Sequence, residues 1–236
     1  MYQPVGSLVD TSFLSSPGVG LVPLSYRQPT RWPIYGWRAV VKRTTDVSVA
    51  LVALVALSVL LLVIMLLIRL ETPGRALFFQ RRVGFANVGF EMWKLRTMYQ
   101  HAPERGRLVQ ATRDDPRVTP LGRWLRRTSL DEMPQLINVL RGDMSLVGPR
   151  PHAPGTCVGE KPFEMITPHY PARHRVRPGM TGLAQVRGLR GETETEQKLL
   201  QRIAADLENI EHWSLWLDSK ILLRTIATLF SAQNAY

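Results

Sequence analysis

A single cysteine, Cys157, occurs in the 236 residues. It rules out an intrachain disulfide and any zinc site built from several cysteines, and it suits a reducing, cytoplasm-facing compartment. Histidine is also sparse: His101, His152, His169, His174 and His212 are scattered, with no paired spacing for a metal. There is no Walker sequence, no glycine-rich dinucleotide fingerprint and no serine nucleophile elbow. Carboxylates and arginines must therefore carry any reaction. Acidic charge is short, with 19 Asp plus Glu against 30 Lys plus Arg and a formal net charge of +11. Such an excess seeks an anionic partner, whether nucleic acid, lipid headgroups or phosphorylated metabolites. Internal repeats and low-complexity tracts are lacking too.

The length and the 45% hydrophobic content suit one domain plus extra segments. Residues 1–35 carry Pro4, Pro17, Pro23, Pro29 and Pro33 without a sustained period and read as an irregular lead-in. They do not read as a secretory signal, because the apolar run comes late and no small-residue cleavage site follows it. From Val47 to Ile68 no charge occurs, and only Ser48 and Ser58 are polar. Every face of such a helix is apolar, which favours a membrane segment over a buried soluble helix. As a straight helix it would rise about 33 Å, enough to cross a bilayer core.

After Pro73-Gly74, Leu77–Val83 and Phe90–Thr97 read as two strands around a turn with Gly84, Asn87 and Gly89. His101 to Pro116 reads as a polar loop with a short helix. Asp131–Leu140 reads as a helix stopped by Gly142. Gly148-Pro149-Arg150-Pro151 must be extended. Residues 193–212 and Trp213–Leu229 read as helices. The second is amphipathic, and its Trp213 and Trp216 suit either a membrane boundary or core packing.

Three stretches could carry chemistry. In Arg126-Arg127-Thr128-Ser129-Leu130-Asp131-Glu132-Met133-Pro134, Ser129 followed by Glu132 has the spacing of a capping box. The same helix start offers amides and a partial positive charge to phosphate, and keeps a carboxylate ionised. Asp131 and Glu132 would point about 100° apart on that helix, so they suit two different tasks. In the second stretch two prolines clamp Arg150, which is then preorganised for a charged oxygen pair or is simply part of a rigid connector. In the third, Arg173-His174-Arg175-Val176-Arg177 leads into Pro178-Gly179-Met180-Thr181-Gly182, a turn whose amides could cradle phosphate or merely sit in solvent.

Taken in order, the blocks Lys42–Asp46, Phe79–Gly84, Trp93–Met98, Asp115–Thr119, Ser129–Leu136, Ser145–Pro151 and Arg177–Gln185 resemble the bacterial sugar transferase family, the monotopic phosphoglycosyl transferases. The resemblance runs from about Lys42 to Tyr236. It implies an α+β, mostly helical fold: a membrane-inserted, re-entrant N-terminal helix, a small β-hairpin, and amphipathic interfacial helices around the active site. It implies three regions: a lead-in over 1–41, a membrane helix over 42–70 and a cytoplasmic catalytic domain over 71–236. It further implies that Asp131 attacks the β-phosphate of a UDP-sugar, expels UMP and forms an aspartyl phosphosugar, which undecaprenyl phosphate then takes over. Glu132 would hold Mg²⁺ (or Mn²⁺) or assist the lipid phosphate. Arg126 and Arg150 would bind phosphate, and Arg175, Arg177, Gly179, Thr181 and Gly182 would contact the nucleotide. The partners implied are UDP-sugar, undecaprenyl phosphate, inner-membrane lipids on the cytoplasmic face and a homodimer mate, with no nucleic acid. The tail from Gly188 to Thr195, then Asp206 to Asp218, resembles the transferases that place glucose-1-phosphate to begin exopolysaccharide or capsule units.

Two departures accompany the resemblance. Long members carry further membrane helices and a domain ahead of the catalytic part, and residues 19–41 look like the end of such a region. The family also places proline after a serine in mid-helix, whereas Val59 follows Ser58 here. The positive flanks on both sides of the apolar run still predict two cytoplasmic ends and a gently bent, re-entrant helix. The rival class is a non-catalytic basic membrane anchor or nucleic-acid binder. Against it, aromatic residues do not interleave with the basic ones as a stacking platform requires.

Overall fold

The computed structural model describes residues 34–99, 115–191 and 193–230. Most of the expected polar loop, the tail beyond 230 and nearly all of the lead-in lie outside the described residues. The elements are α1 (Trp37–Glu71), β1 (Leu77–Val83), β2 (Gly89–Leu95), α2 (Pro120–Thr128), α3 (Gln135–Arg141) and β3 (Ser145–Val147). There follow β4 (Cys157–Val158), β5 (Lys161–Pro162), α4 (Phe163–Ile166), β6 (Gly179–Thr181), α5 (Leu183–Val186), α6 (Glu196–Glu211) and α7 (Leu215–Phe230). The chain is mostly helical, and its strands form three two-stranded sheets among the described residues: antiparallel β1–β2 and β4–β5, and parallel β3–β6.

α1 starts at Trp37, inside the stretch read as lead-in, and runs 35 residues without a break, about 52 Å at 1.5 Å per residue. Ser58 Oγ donates to Val55 O at 2.7 Å, and the helix continues through Val59. Along one side Lys42, Asp46, Ala50, Leu61, Ile64 and Ile68 are buried, at the three- and four-residue spacing of a helix stripe. Ala50 joins a core with Met92, Leu136, Val139, Met144, Leu146, Leu183 and Ile221. Leu61, Ile64 and Ile68 join a second core with Ala76, Leu95 and Leu125. Leu51, Val52, Val55, Val59, Leu62, Val63, Leu66 and Leu70 are exposed. An apolar surface of that length is stable only under a nonaqueous cover.

Both ends of α1 are fastened to the same body. Near its start, Arg43 donates to the carbonyls of Val139 (2.5 Å) and Leu140 (2.8 Å) in the last turn of α3, sharing the Val139 oxygen with the Gly142 amide. Lys42 bridges Asp46 at 2.9 Å and Asp218 of α7 at 2.8 Å, and Asp46 accepts from Ser145 Oγ at 2.8 Å. At the far end, Arg96 donates to the carbonyls of Ile68, Thr72 and Pro73. α7 buries Asp218 and Ile221 and exposes Leu215, Trp216, Leu223 and Ile226 together with Lys220 and Arg224, so its outward face mixes apolar and basic residues.

Candidate active site

Asp131 and Glu132 do not begin an α-helix. α2 ends at Ser129, whose backbone is left-handed (φ 56°), and Leu130–Glu132 make one 3₁₀ turn before α3 opens at Gln135. Positive φ is uncommon for serine. Here it reverses the chain between two helices and turns Asp131 inward. The capping box expected from Ser129 and Glu132 is therefore not formed. That motif needs an extended N-cap, and Ser129 makes no side-chain cap bond. Glu132 instead faces β2 and the proline-clamped loop. Its Oε1 accepts from Lys94 Nζ at 2.9 Å and from Arg150 Nη2 at 2.5 Å, and its Oε2 accepts from Arg150 Nη1 at 3.1 Å.

Lys94 is positioned by the hairpin. Its partner across the ladder is Phe78, with Gln80 opposite Met92 and Arg82 opposite Phe90 on the same face. Asn138 of α3 holds this strand: its Oδ1 accepts from Trp93 N at 2.9 Å and its Nδ2 donates to Glu91 O at 2.7 Å. Arg150 is held from the other side. β3 runs beside β6, Gly148 N donates to Thr181 O, and Gly179 N donates to Pro149 O. The two segments touch so closely that a Cβ at Gly179 would lie 2.1 Å from Gly148 N, and one at Gly182 would lie 2.4 Å from Gly148 O. No larger residue fits either position.

The two carboxylates titrate in opposite directions. Asp131 is 8% exposed and makes no hydrogen bond among the described residues. Burial is the largest influence on it and raises its pKa from 3.8 to about 6, with Glu132 adding to the rise and Lys94, Arg126 and Arg150 opposing it. Burial pushes Glu132 up as well, but Arg150 and Lys94 outweigh it and hold Glu132 well below its ordinary range. Arg126 is anchored by its Nε to Thr97 Oγ1 at 2.9 Å. One carboxylate is thus committed to cations while its neighbour stands unbonded among them. This is the pattern expected of two carboxyls with different tasks.

Of the residues singled out in the sequence, Asp131, Glu132, Arg126 and Arg150 come together. The others do not join them. Gly179, Thr181 and Gly182 are buried and form or adjoin a strand rather than an open turn. The Gly179 amide is already engaged by the Pro149 carbonyl, so that amide is not free for a phosphate. Thr181 Oγ1 pairs with Thr225 Oγ1 at 2.7 Å. Arg177 donates to Gly142 O, and Arg175 lies with Phe85 and Asn87 at the hairpin tip. No local pattern in the sequence gives a role to Arg82, Arg173, Arg190, Arg202 or Asp206. Lys94 alone had a usable signal, a lysine alternating with a buried methionine on one strand face.

The fold and site define a class: an α+β domain with a long apolar helix and a buried, cation-ringed carboxylate pair suited to phosphorylated ligands. The family follows from comparison, because the bacterial sugar transferase model matches residues 37–232, and this chain belongs to that family. It is 46% identical over 214 residues to an undecaprenyl-phosphate glucose phosphotransferase of Komagataeibacter xylinus, covering 91% of this chain and 40% of that protein. It is 53% identical over 196 residues to a UDP-glucose:undecaprenyl-phosphate glucose-1-phosphate transferase of Caulobacter vibrioides, covering 83% and 72%. It is 41% identical over 204 residues to a UDP-N-acetylgalactosamine-undecaprenyl-phosphate N-acetylgalactosaminephosphotransferase of Aeromonas hydrophila, covering 86% and 46%. The chain therefore spans less than half the length of two of these relatives.

Proposed function

We propose that this chain transfers a hexose-1-phosphate, glucose-1-phosphate first among candidates, from a UDP-sugar to undecaprenyl phosphate, and so starts exopolysaccharide or capsule units. The carrying observation is the contrast within the dyad, where Asp131 is unbonded and Glu132 is engaged by Lys94 and Arg150. An ionised, poorly solvated carboxylate is a competent nucleophile towards phosphorus, and with a pKa of about 6 it is mostly ionised at pH 7. Asp131 attacks the β-phosphorus, UMP departs, and the aspartyl phosphosugar then passes to the lipid phosphate. Arg126 and Arg150 stabilise the charge that builds on the phosphoryl oxygens. The names of the relatives support glucose and also caution that the sugar varies within the family. The chain should release UMP from UDP-glucose over many turnovers when undecaprenyl phosphate is present, and at most one equivalent per protein without it. No UMP from any UDP-sugar would end this reading.

Magnesium belongs to the same proposal. Glu132 uses three of about four lone-pair directions on Lys94 and Arg150, so one direction and the unbonded Asp131 remain as oxygen donors. Two carboxylates beside a diphosphate form a donor set that this ion accepts, and it would supply neutralising charge there. Excess EDTA should reduce UMP release to background, and added Mg²⁺ or Mn²⁺ should restore it. Undiminished turnover in EDTA would remove the metal from the scheme.

Arg150→Lys should lower kcat/KM by at least about tenfold although charge is kept. Arg150 grips Glu132 with two nitrogens at once, a fork that a single ammonium lacks. A rate within twofold of wild type would make Arg150 a connector only.

For the membrane we propose a same-side topology on the cytoplasmic face, with the exposed sides of α1 and α7 in lipid. The support is the fastening of α1: residues 42–46 and 61–71 dock on one body, and the flanks are basic. In a chain with Cys157 replaced and Thr30→Cys introduced, an impermeant maleimide should label only after the cells are opened. Labelling of intact cells would place the lead-in outside and end the same-side reading.

A further inference from the structure

Pro149 and Pro151 flank Arg150 and carry no backbone N–H, so this loop is held chiefly through its carbonyls. Each of the four from 149 to 152 has a donor. Gly179 N donates to Pro149 O, Val83 N donates to His152 O at 3.1 Å, and Arg82 Nη1 lies 3.5 Å from Pro151 O. Arg150 O accepts at 2.9 Å from Nη2 of Arg173, on the 3₁₀ turn Tyr170–Arg175. The other arm of Arg173 bonds His152 Nδ1. Arginine only donates, so Nδ1 is the acceptor and the ring proton sits on Nε2. Burial, and after it the neighbouring arginines, hold His152 well below its ordinary pKa, which keeps it the neutral acceptor this bond needs. One guanidinium thus spans Pro151 and fixes the chain on both sides of it. Behind it, Asp206 Oδ2 of α6 accepts from the same Nη2 at 2.5 Å, and both side chains are only 2% exposed. Replacing a buried ion pair by well-packed apolar residues is often neutral or stabilising, because both charges have lost water. Stability alone therefore does not account for this one.

We propose that Arg173 and Asp206 are positioning residues for Arg150. Asp206 aims Arg173, and Arg173 sets the Arg150 backbone. From that backbone the Arg150 guanidinium reaches Glu132 with two nitrogens at once. Neither Arg173 nor Asp206 bonds Asp131 or Glu132 among the described residues, so the pair acts on the dyad through Arg150. The inference rests on the phosphoglycosyl-transfer reading above. There Arg150 meets the charge that builds on the phosphoryl oxygens, and a donor displaced by about an ångström loses much of its effect. Arg173→Lys keeps a cation opposite Asp206. A single ammonium cannot, however, hold Asp206, Arg150 O and His152 Nδ1 in the fixed fork of a guanidinium.

The test uses the full chain in detergent. Arg173→Lys should lower kcat about tenfold and leave the KM for UDP-glucose within about twofold, because orientation matters most in the transition state. In an Arg150→Ala background the same substitution should cost less than about twofold, since the group it positions is gone. A tenfold loss in that background too would mean that Arg173 acts elsewhere, and would overturn the proposal. Arg173→Met combined with Asp206→Leu removes both charges and keeps the site filled. This double variant should stay folded and still lose about tenfold in kcat. Near-normal turnover in it would leave Arg150 with no need of the pair. Failure of both Arg173→Lys and the double variant to fold would make the pair a core element only, and would overturn the proposal as well. A readout apart from activity is hydrogen exchange over residues 148–152, which should quicken in Arg173→Lys. Exchange at the wild-type rate would refute the tether. A loop that loosens in this way, in a chain whose wild type releases no UMP from any UDP-sugar, would uphold the tether and remove the transferase reading.

Discussion

Asp131→Asn is expected to abolish turnover and trapped phosphosugar while making the folded protein more stable at neutral pH. The loss of rate should be at least about a thousandfold, because a neutral amide is no nucleophile and no second carboxylate is placed to replace it. The gain in stability follows from the position of the carboxyl. Its pKa rises from 3.8 to about 6, chiefly through burial. A raised carboxyl pKa favours folding below pH 3.8, and that contribution disappears as pH rises through about 6. At pH 7 the buried charge therefore costs the native state on the order of 3 kcal/mol, at about 1.4 kcal/mol per tenfold change. Asparagine removes that cost. Melting curves should place the variant above wild type at pH 7.5 and close to it at pH 4. A variant that still accumulates labelled phosphosugar refutes the nucleophile, and one less stable at pH 7.5 refutes the account of the burial. In the wild type, kcat/KM should fall below about pH 6 as Asp131 of the free protein is protonated.

Glu132→Gln is expected to lower kcat by two to three orders of magnitude and to move the acid limb of the residual activity to lower pH. The rate falls because the amide presents N–H groups to Lys94 or Arg150, which are donors themselves, and both cations lose a shared partner. The limb moves because the charge of Glu132 is one of the influences that raise Asp131. With that charge gone, Asp131 ionises at lower pH. Retained activity with a limb at the wild-type position would mean that the two carboxyls do not influence each other, and that Glu132 serves only to hold Arg150.

The parts of this molecule that were legible in the sequence are those fixed by local rules. The period-two strands of the hairpin, the stop at Gly142, the two C-terminal helices and the long apolar run each depend on residues a few positions apart. The dyad with Arg126 and Arg150 was legible for a different reason, as an ordered set of blocks. The failures arose where one local pattern had two solutions. Ser129 and Glu132 have capping-box spacing, but the left-handed backbone at Ser129 and the pull of Lys94 and Arg150 on Glu132 decide against it. The glycines at 179 and 182 resembled a phosphate turn, whereas they are small because the Gly148 backbone lies against them. Asn138, Arg173 and Asp206 had no local signature, since their partners lie on other elements.

The joint between Lys42 and Asp218 spans nearly the whole chain, and that has a consequence for biosynthesis. The apolar helix is made before the other described elements, and Lys42, already paired with Asp46, gains its second carboxylate only from the last described helix. Until residue 218 has been made, Lys42 has Asp46 as its one carboxylate partner among the described residues. The middle and far end of the segment can settle against α3 and the hairpin beforehand, whereas its start is complete only when the C-terminal helix arrives. Chains that stall ahead of α7 still have α3 and the hairpin to seat the segment, and lack the carboxylate that completes the joint at its start.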